Sequence, residues 1–184
     1  RSPFDARTAI PLIAAQIEAG QARMALGRAT EIARRNPGVP AAQVVLGDVH
    51  GALGNWQAAV AAYKTAANLD FSEGTALRFA RALVNADDAQ GAAQVIGLYL
   101  SQNPQSIPMR LMLADIHMGA GRWQSAIAQL EIVRARIRAL RDARFLQAEQ
   151  RRHVLALAEP RAHELDLCTA ARGAPARLLA RGGV

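Results

Sequence analysis

Leu46-Gly47, followed shortly by Gly54-Asn55-Trp56-Gln57-Ala58-Ala59-Val60, returns as Leu113-Ala114 and then Gly121-Arg122-Trp123-Gln124-Ser125-Ala126-Ile127. The two copies stand two periods apart, because intermediate copies fill the gap. Small residues recur at Ala25, Ala59, Ala92 and Ala126, spaced 34, 33 and 34. The turn positions Gly20, Gly54, Asp87 and Gly121 keep the same step, and Pro37, Phe71 and Pro104 close successive units. A period of this size marks an array in which each repeat buries its apolar side only by stacking on the next.

Within a unit the pattern is helical. In 56–67 the apolar residues Trp56, Ala59, Val60, Tyr63 and Ala67 follow the i, i+3, i+4, i+7 spacing of an amphipathic helix. Gly20, Gly54 and Gly121 each follow an apolar run, where a left-handed residue would end a helix. Pro40 and Pro108 suit a first helical turn, and Ser72 or Ser106 can cap one. Pro11 fits a helix that begins near Thr8 and would kink one that begins at Ser2. Alanine at fixed spacing on facing helices permits the close crossing that a helical hairpin needs.

These features resemble the tetratricopeptide repeat (TPR), a helix-turn-helix unit of the same period. The best-matching unit, 40–73, carries Leu46, Gly47, Gly54, Trp56, Ala59, Tyr63 and Ala66 at that family's pattern positions. Unit 107–140 supplies Leu113, Ala114, Gly121, Trp123, Ala126 and Leu130. Unit 74–106 offers Phe79, Ala80, Ala92, Ile96 and Pro104, with Asp87-Asp88 in place of the turn glycine. Unit 6–39 has Gly20, Ala25 and Pro37 but holds Ile13 where a small residue belongs. The resemblance covers residues 6–140 and implies an all-α, right-handed superhelical solenoid. Pro3 stands one full period before Pro37, so residues 1–5 read as the end of a preceding repeat. Residues 141–158 read as a C-terminal capping helix with Phe145, Leu146, Ala148, Val154 and Leu155 toward the array, and 159–184 as a loosely ordered basic tail. A short helix around His163–Arg172 is allowed within that tail.

Composition narrows the function. The chain has 184 residues and a net charge of +7, yet residues 1–121 hold ten basic against nine acidic side chains. Residues 122–184 hold twelve against six, so the charge sits at the C-terminal end. No run of 18 apolar residues exists to span a membrane, and the single cysteine excludes an intramolecular disulfide. No glycine-rich phosphate loop, HExxH or GxSxG motif is present. His50 and His117 share one unit position, which packs between helices, while His163 and Cys168 lack further ligands nearby. No catalysis, metal or cofactor is expected.

By the resemblance, the inner face of each first helix lines a concave groove. Its first ladder reads Ile10, Val44, Leu77 and Leu111, continued by Phe145. The second reads Ala14, Asp48, Arg81 and Asp115, continued by Glu149. Apolar rungs beside alternating charges suit a peptide or partner helix with regularly spaced apolar anchors. The clamp of Lys, Asn and Arg that one TPR subgroup uses for chaperone C-termini is missing, because Ile10, Ala14, Val44, Asp48 and Leu77 hold those positions. The resulting reading is a non-catalytic protein-interaction scaffold, similar to bacterial TPR proteins of cytoplasm or periplasm. A regulatory array of a larger bacterial enzyme, or part of an envelope or polysaccharide-export assembly, is the alternative. Nucleic-acid or anionic-lipid contact through the basic segment 134–152 ranks last.

Overall fold

Gly20, Gly54 and Gly121 have φ of 72°, 74° and 69°, and Asp87 has 63°. These four left-handed residues divide the chain into helical hairpins. Just past each helix end an amide reaches back over the last turn: Gln21 to the Gln16 carbonyl, Asn55 to His50, Asp88 to Leu83 and Arg122 to His117, at 2.8–2.9 Å. That bond together with a left-handed residue is the Schellman stop, which satisfies carbonyls that a helix end leaves open.

The computed structural model describes the backbone of residues 6–171 and the side chains of 9–154. The helices are α1 (Ala6–Glu18), α2 (Ala22–Arg35), α3 (Pro40–Ala52), α4 (Trp56–Leu69), α5 (Glu73–Asn85), α6 (Ala89–Gln102), α7 (Ile107–Gly119) and α8 (Trp123–Ala171). No strand occurs among the described residues. Helix starts in the odd series and in the even series keep the same spacing as the repeated alanines. Ser106 caps α7 by accepting from the Met109 amide, and Asp88 caps α6 by accepting from Gly91. Ser72 does not cap, because its hydroxyl pairs with that of Thr75 at 3.0 Å. Pro11 falls in the second turn of α1, since the helix begins at Ala6 rather than Thr8.

Three apolar clusters run through the hairpins. One joins α1, α2 and α3 through Ile13, Ala29, Ile32 and Val49. A second joins α4 and α5 through Ala59, Tyr63 and Ala82, with Val44 of α3 packed against it. A third joins α5, α6 and α7 through Ala80, Ile96, Tyr99, Met109 and Ile116. The repeated alanines Ala25, Ala59, Ala92 and Ala126 are all buried. A Cβ added at Gly47 would stand 2.5 Å from the Tyr63 ring, so α3 meets α4 where α3 has no side chain. The first hairpin exchanges the sizes: Ile13 occupies the position of Gly47, and Ala29 that of Tyr63. Both are fully buried in one cluster, so the total volume is kept and Ile13 is accommodated.

The chain divides into two units at Arg136/Ile137. Residues 141–158 do not form a separate capping helix, because α8 continues through them to Ala171. The C-cap residues Asn36, Asp70 and Asn103 that end α2, α4 and α6 have Ile137 as their counterpart, and no glycine or proline follows before Pro160, so nothing stops the helix where the earlier units stop. Phe145, Leu146 and Val154, expected toward the array, belong to the second unit. Residues 159–171 of the expected loose tail, Pro160 included, also belong to α8. Residues 1–5 and 172–184 lie outside the described residues, as do the side chains of Leu155, His163 and Cys168.

The turns and the alanine seam can each be tested by substitution. Asp87→Gly should raise stability by about 0.5–1 kcal/mol, because glycine adopts this backbone without strain. Ala86→Gly, one residue earlier at φ −90°, should lower it; chemical denaturation separates the two signs. Ala126→Leu should cost about 1–3 kcal/mol by overpacking, whereas the exposed Ala128 should accept leucine at little cost.

Candidate partner-binding groove

The helical period and the repeat together bring one residue from each first helix into line. Ile10, Val44 and Leu77 are half-buried, and each packs one side against a core cluster. Leu111 is 41% exposed. One turn further along, Ala14, Arg81 and Asp115 are exposed and Asp48 is half-buried.

Three open depressions follow one another along these helices. The first, about 430 Å³, is lined by Ile10, Ala14, Val44, Asp48 and Arg78 among others. The second, about 350 Å³, is lined by Asp48, Tyr63, Leu77, Arg78 and Arg81. The third, about 430 Å³, is lined by Arg81, Val84, Met112, Asp115, Ile116 and Gly119. Asp48 and Arg78 border the first two, and Arg81 borders the last two. Most of the residues read from the sequence therefore line this run: Ile10, Ala14, Val44, Asp48, Leu77, Arg81 and Asp115. Leu111 lines none of the three, and its neighbour Met112 takes the lining position in the third. Phe145 belongs to the second unit.

Polar chemistry in the groove centres on Asp48. The Tyr63 hydroxyl donates to Asp48 Oδ1 at 2.7 Å, and Arg78 Nε donates to the same oxygen at 3.2 Å. Burial, and then the adjoining Asp48 carboxylate, hold the Tyr63 phenol well above its ordinary pKa. Tyr63 thus stays a neutral donor, and Asp48 joins α3, α4 and α5. Neither Tyr63 nor Arg78 is among the candidates that the sequence marks. Their links to Asp48 join separate helices and depend on how hairpins stack, which a local pattern does not carry. Arg81 and Asp115 form no hydrogen bond or ion pair with another described residue, so both charges remain open toward the third depression.

Two other candidates stand apart. His50 and His117 are half-buried, and the Nδ1 of each is buried without a hydrogen-bond partner among the described residues. Gln16, at the same unit position, likewise buries an unpartnered Oε1. Neither histidine lines the three depressions. The described residues contain no group of three or more His, Cys, Asp or Glu placed to hold a metal ion. No described helix is long and apolar enough to cross a membrane.

Asp48→Ala should lower stability by about 1–3 kcal/mol, because the buried Tyr63 hydroxyl loses its acceptor. Adding Tyr63→Phe should recover part of that loss, since no donor then remains unpaired. Thermal melts of the single and double variants test this, and additive losses would show that the hydroxyl finds another partner.

Residues 83–151 match a family model described as tetratricopeptide repeat. No curated protein sequence matches the chain. Among solved structures it is similar to a crystal structure of MamA, with a TM-score of 0.67 at 15% identity over 77% of this chain and 83% of that one. It is also similar to a Podosopora anserina putative kinesin light chain with nearly identical TPR-like repeats, at TM-score 0.63 and 18% identity over 71% and 74% of the two chains. A third is TTC0263, a thermophilic TPR protein of Thermus thermophilus, at TM-score 0.60 and 18% identity over 76% and 83%. At such identities the likeness is one of fold. Residues 83–151 are thus tetratricopeptide-repeat sequence, and the helical array around them has the fold of a TPR solenoid.

Proposed function

We propose that this chain is a non-catalytic protein-interaction module that holds a peptide or partner helix along the face made by α1, α3, α5 and α7. The supporting observation is the unbroken run of three depressions on those helices, joined through Asp48, Arg78 and Arg81. Fixed helices present this face, so little ordering cost falls on the protein side when a ligand binds. Half-buried Ile10, Val44 and Leu77 offer apolar floor, and the unpaired Arg81 and Asp115 set charge preference. The clustering of titratable groups at Asp48 serves architecture, because the carboxylate is already engaged by Tyr63 and Arg78.

Selection of a displayed peptide library on the full chain supplies a ligand. The double variant Arg81→Glu with Asp115→Arg should weaken the selected peptides at least tenfold. The melting temperature should remain unchanged, because both residues are exposed. Peptides that bind the double variant as tightly as the parent would place recognition elsewhere.

A further inference from the structure

We infer that the ligand of the groove is a peptide segment of net positive charge, in which two basic residues flank an acidic one and pair in turn with Asp70, Arg81 and Asp115. The inference rests on the groove reading above and names the chemistry of its occupant.

The three depressions carry a charge balance opposite to that of the chain. Three carboxylates line them, Asp48, Asp70 and Asp115, against the two guanidiniums of Arg78 and Arg81. The whole chain carries +7. Every residue that lines the three depressions belongs to the first unit, 1–136.

Two of the five charges are already spent. Arg78 donates from Nε to Asp48 Oδ1 and from Nη1 to the Gly74 carbonyl, both at 3.2 Å, while the Tyr63 hydroxyl holds the same carboxylate oxygen. Asp70, Arg81 and Asp115 are exposed, and their side chains form no hydrogen bond or ion pair with another described residue. The row Ala14, Asp48, Arg81 and Asp115 therefore offers a ligand only its last two charges. In the first depression the open carboxylate comes instead from Asp70, the residue that ends α4. From the first depression to the third, the open charges run negative, positive, negative.

Apolar surface accompanies each of them. Half-buried Ile10 and Val44 line the first depression together with Asp70. That combination suits lysine or arginine, whose methylene stem covers apolar floor while its charged head reaches a carboxylate. Arg81 borders both the second and the third depression, so the acidic residue of the ligand stands where they meet. A carboxylate there can take both arms of the guanidinium fork. In the third depression Val84, Met112 and Ile116 adjoin Asp115, and the second basic residue again finds an apolar bed for its stem. A nucleic acid fits poorly, because its phosphates would stand against two unpaired carboxylates.

The strongest binder from a displayed random-peptide library, selected on the full chain, is measured by fluorescence anisotropy against the parent and the variants Asp70→Arg, Arg81→Glu and Asp115→Arg. It should carry net positive charge in the order basic, acidic, basic. Each variant should weaken it about fivefold or more with the melting temperature unchanged, because all three residues are exposed. Changing one basic residue of the peptide to glutamate should restore affinity for Asp70→Arg alone, and changing the other should do so for Asp115→Arg alone. A peptide indifferent to any one of the three variants overturns the inference. If the remaining variants still weaken it, the groove reading stands; if none does, or if no binder is selected, both fall. A binder of net negative charge overturns the inference as well. So does dimerisation of the full chain that Asp70→Arg abolishes, which would make the occupant a second copy.

Discussion

Two helices can cross closely only where one of them offers almost no side chain, and the whole array depends on meeting that condition once in every repeat. Ala25, Ala59, Ala92 and Ala126 meet it on the even-numbered helices. Gly47 meets it most sharply, since the Tyr63 ring fills the space where a Cβ would stand. The condition concerns the pair and not the residue. In the first hairpin Ile13 and Ala29 exchange the large and small roles, and both remain fully buried. A family pattern written for single positions marks Ile13 as a departure, whereas conservation of summed volume makes it ordinary packing.

Function inherits this geometry. Once a fixed period sets how each hairpin lies on the next, residues at equal unit positions must fall in rows. Ile10, Val44 and Leu77 each pack one side against a core cluster, so under the proposed function these side chains serve stability and recognition together. The next row is freer. Asp48 is committed to Tyr63 and Arg78, while Arg81 and Asp115 stay unpaired at the third depression. Specificity is therefore better sought in the charged row than in the apolar one.

Much of the fold is legible in the sequence because it rests on short-range stereochemistry. Glycine at three of four turn positions, with aspartate at the fourth, marks the left-handed residues, and the alanine spacing marks the hairpin seams. The bounds expected for the capping helix depart from those of α8 for an equally local reason. Apolar periodicity in 141–158 says that the segment is helical, but not that it is a separate helix. The informative signal is Ile137, which stands where the earlier units end on Asn36, Asp70 and Asn103. In the candidate groove, register gives residues that line the depressions except Leu111, whose neighbour Met112 lines the third. Arg78 and Tyr63 are not legible in the same way, because their roles arise between helices that only the fold brings together.

The claim that odd-numbered helices carry recognition is tested most directly by hydrogen–deuterium exchange of the full chain with and without a library-selected peptide. The account predicts slowed exchange in α1, α3, α5 and α7, strongest around Asp48 and Arg81, with α2, α4 and α6 changed little. Protection confined to α2, α4 and α6, or to α8, would contradict it.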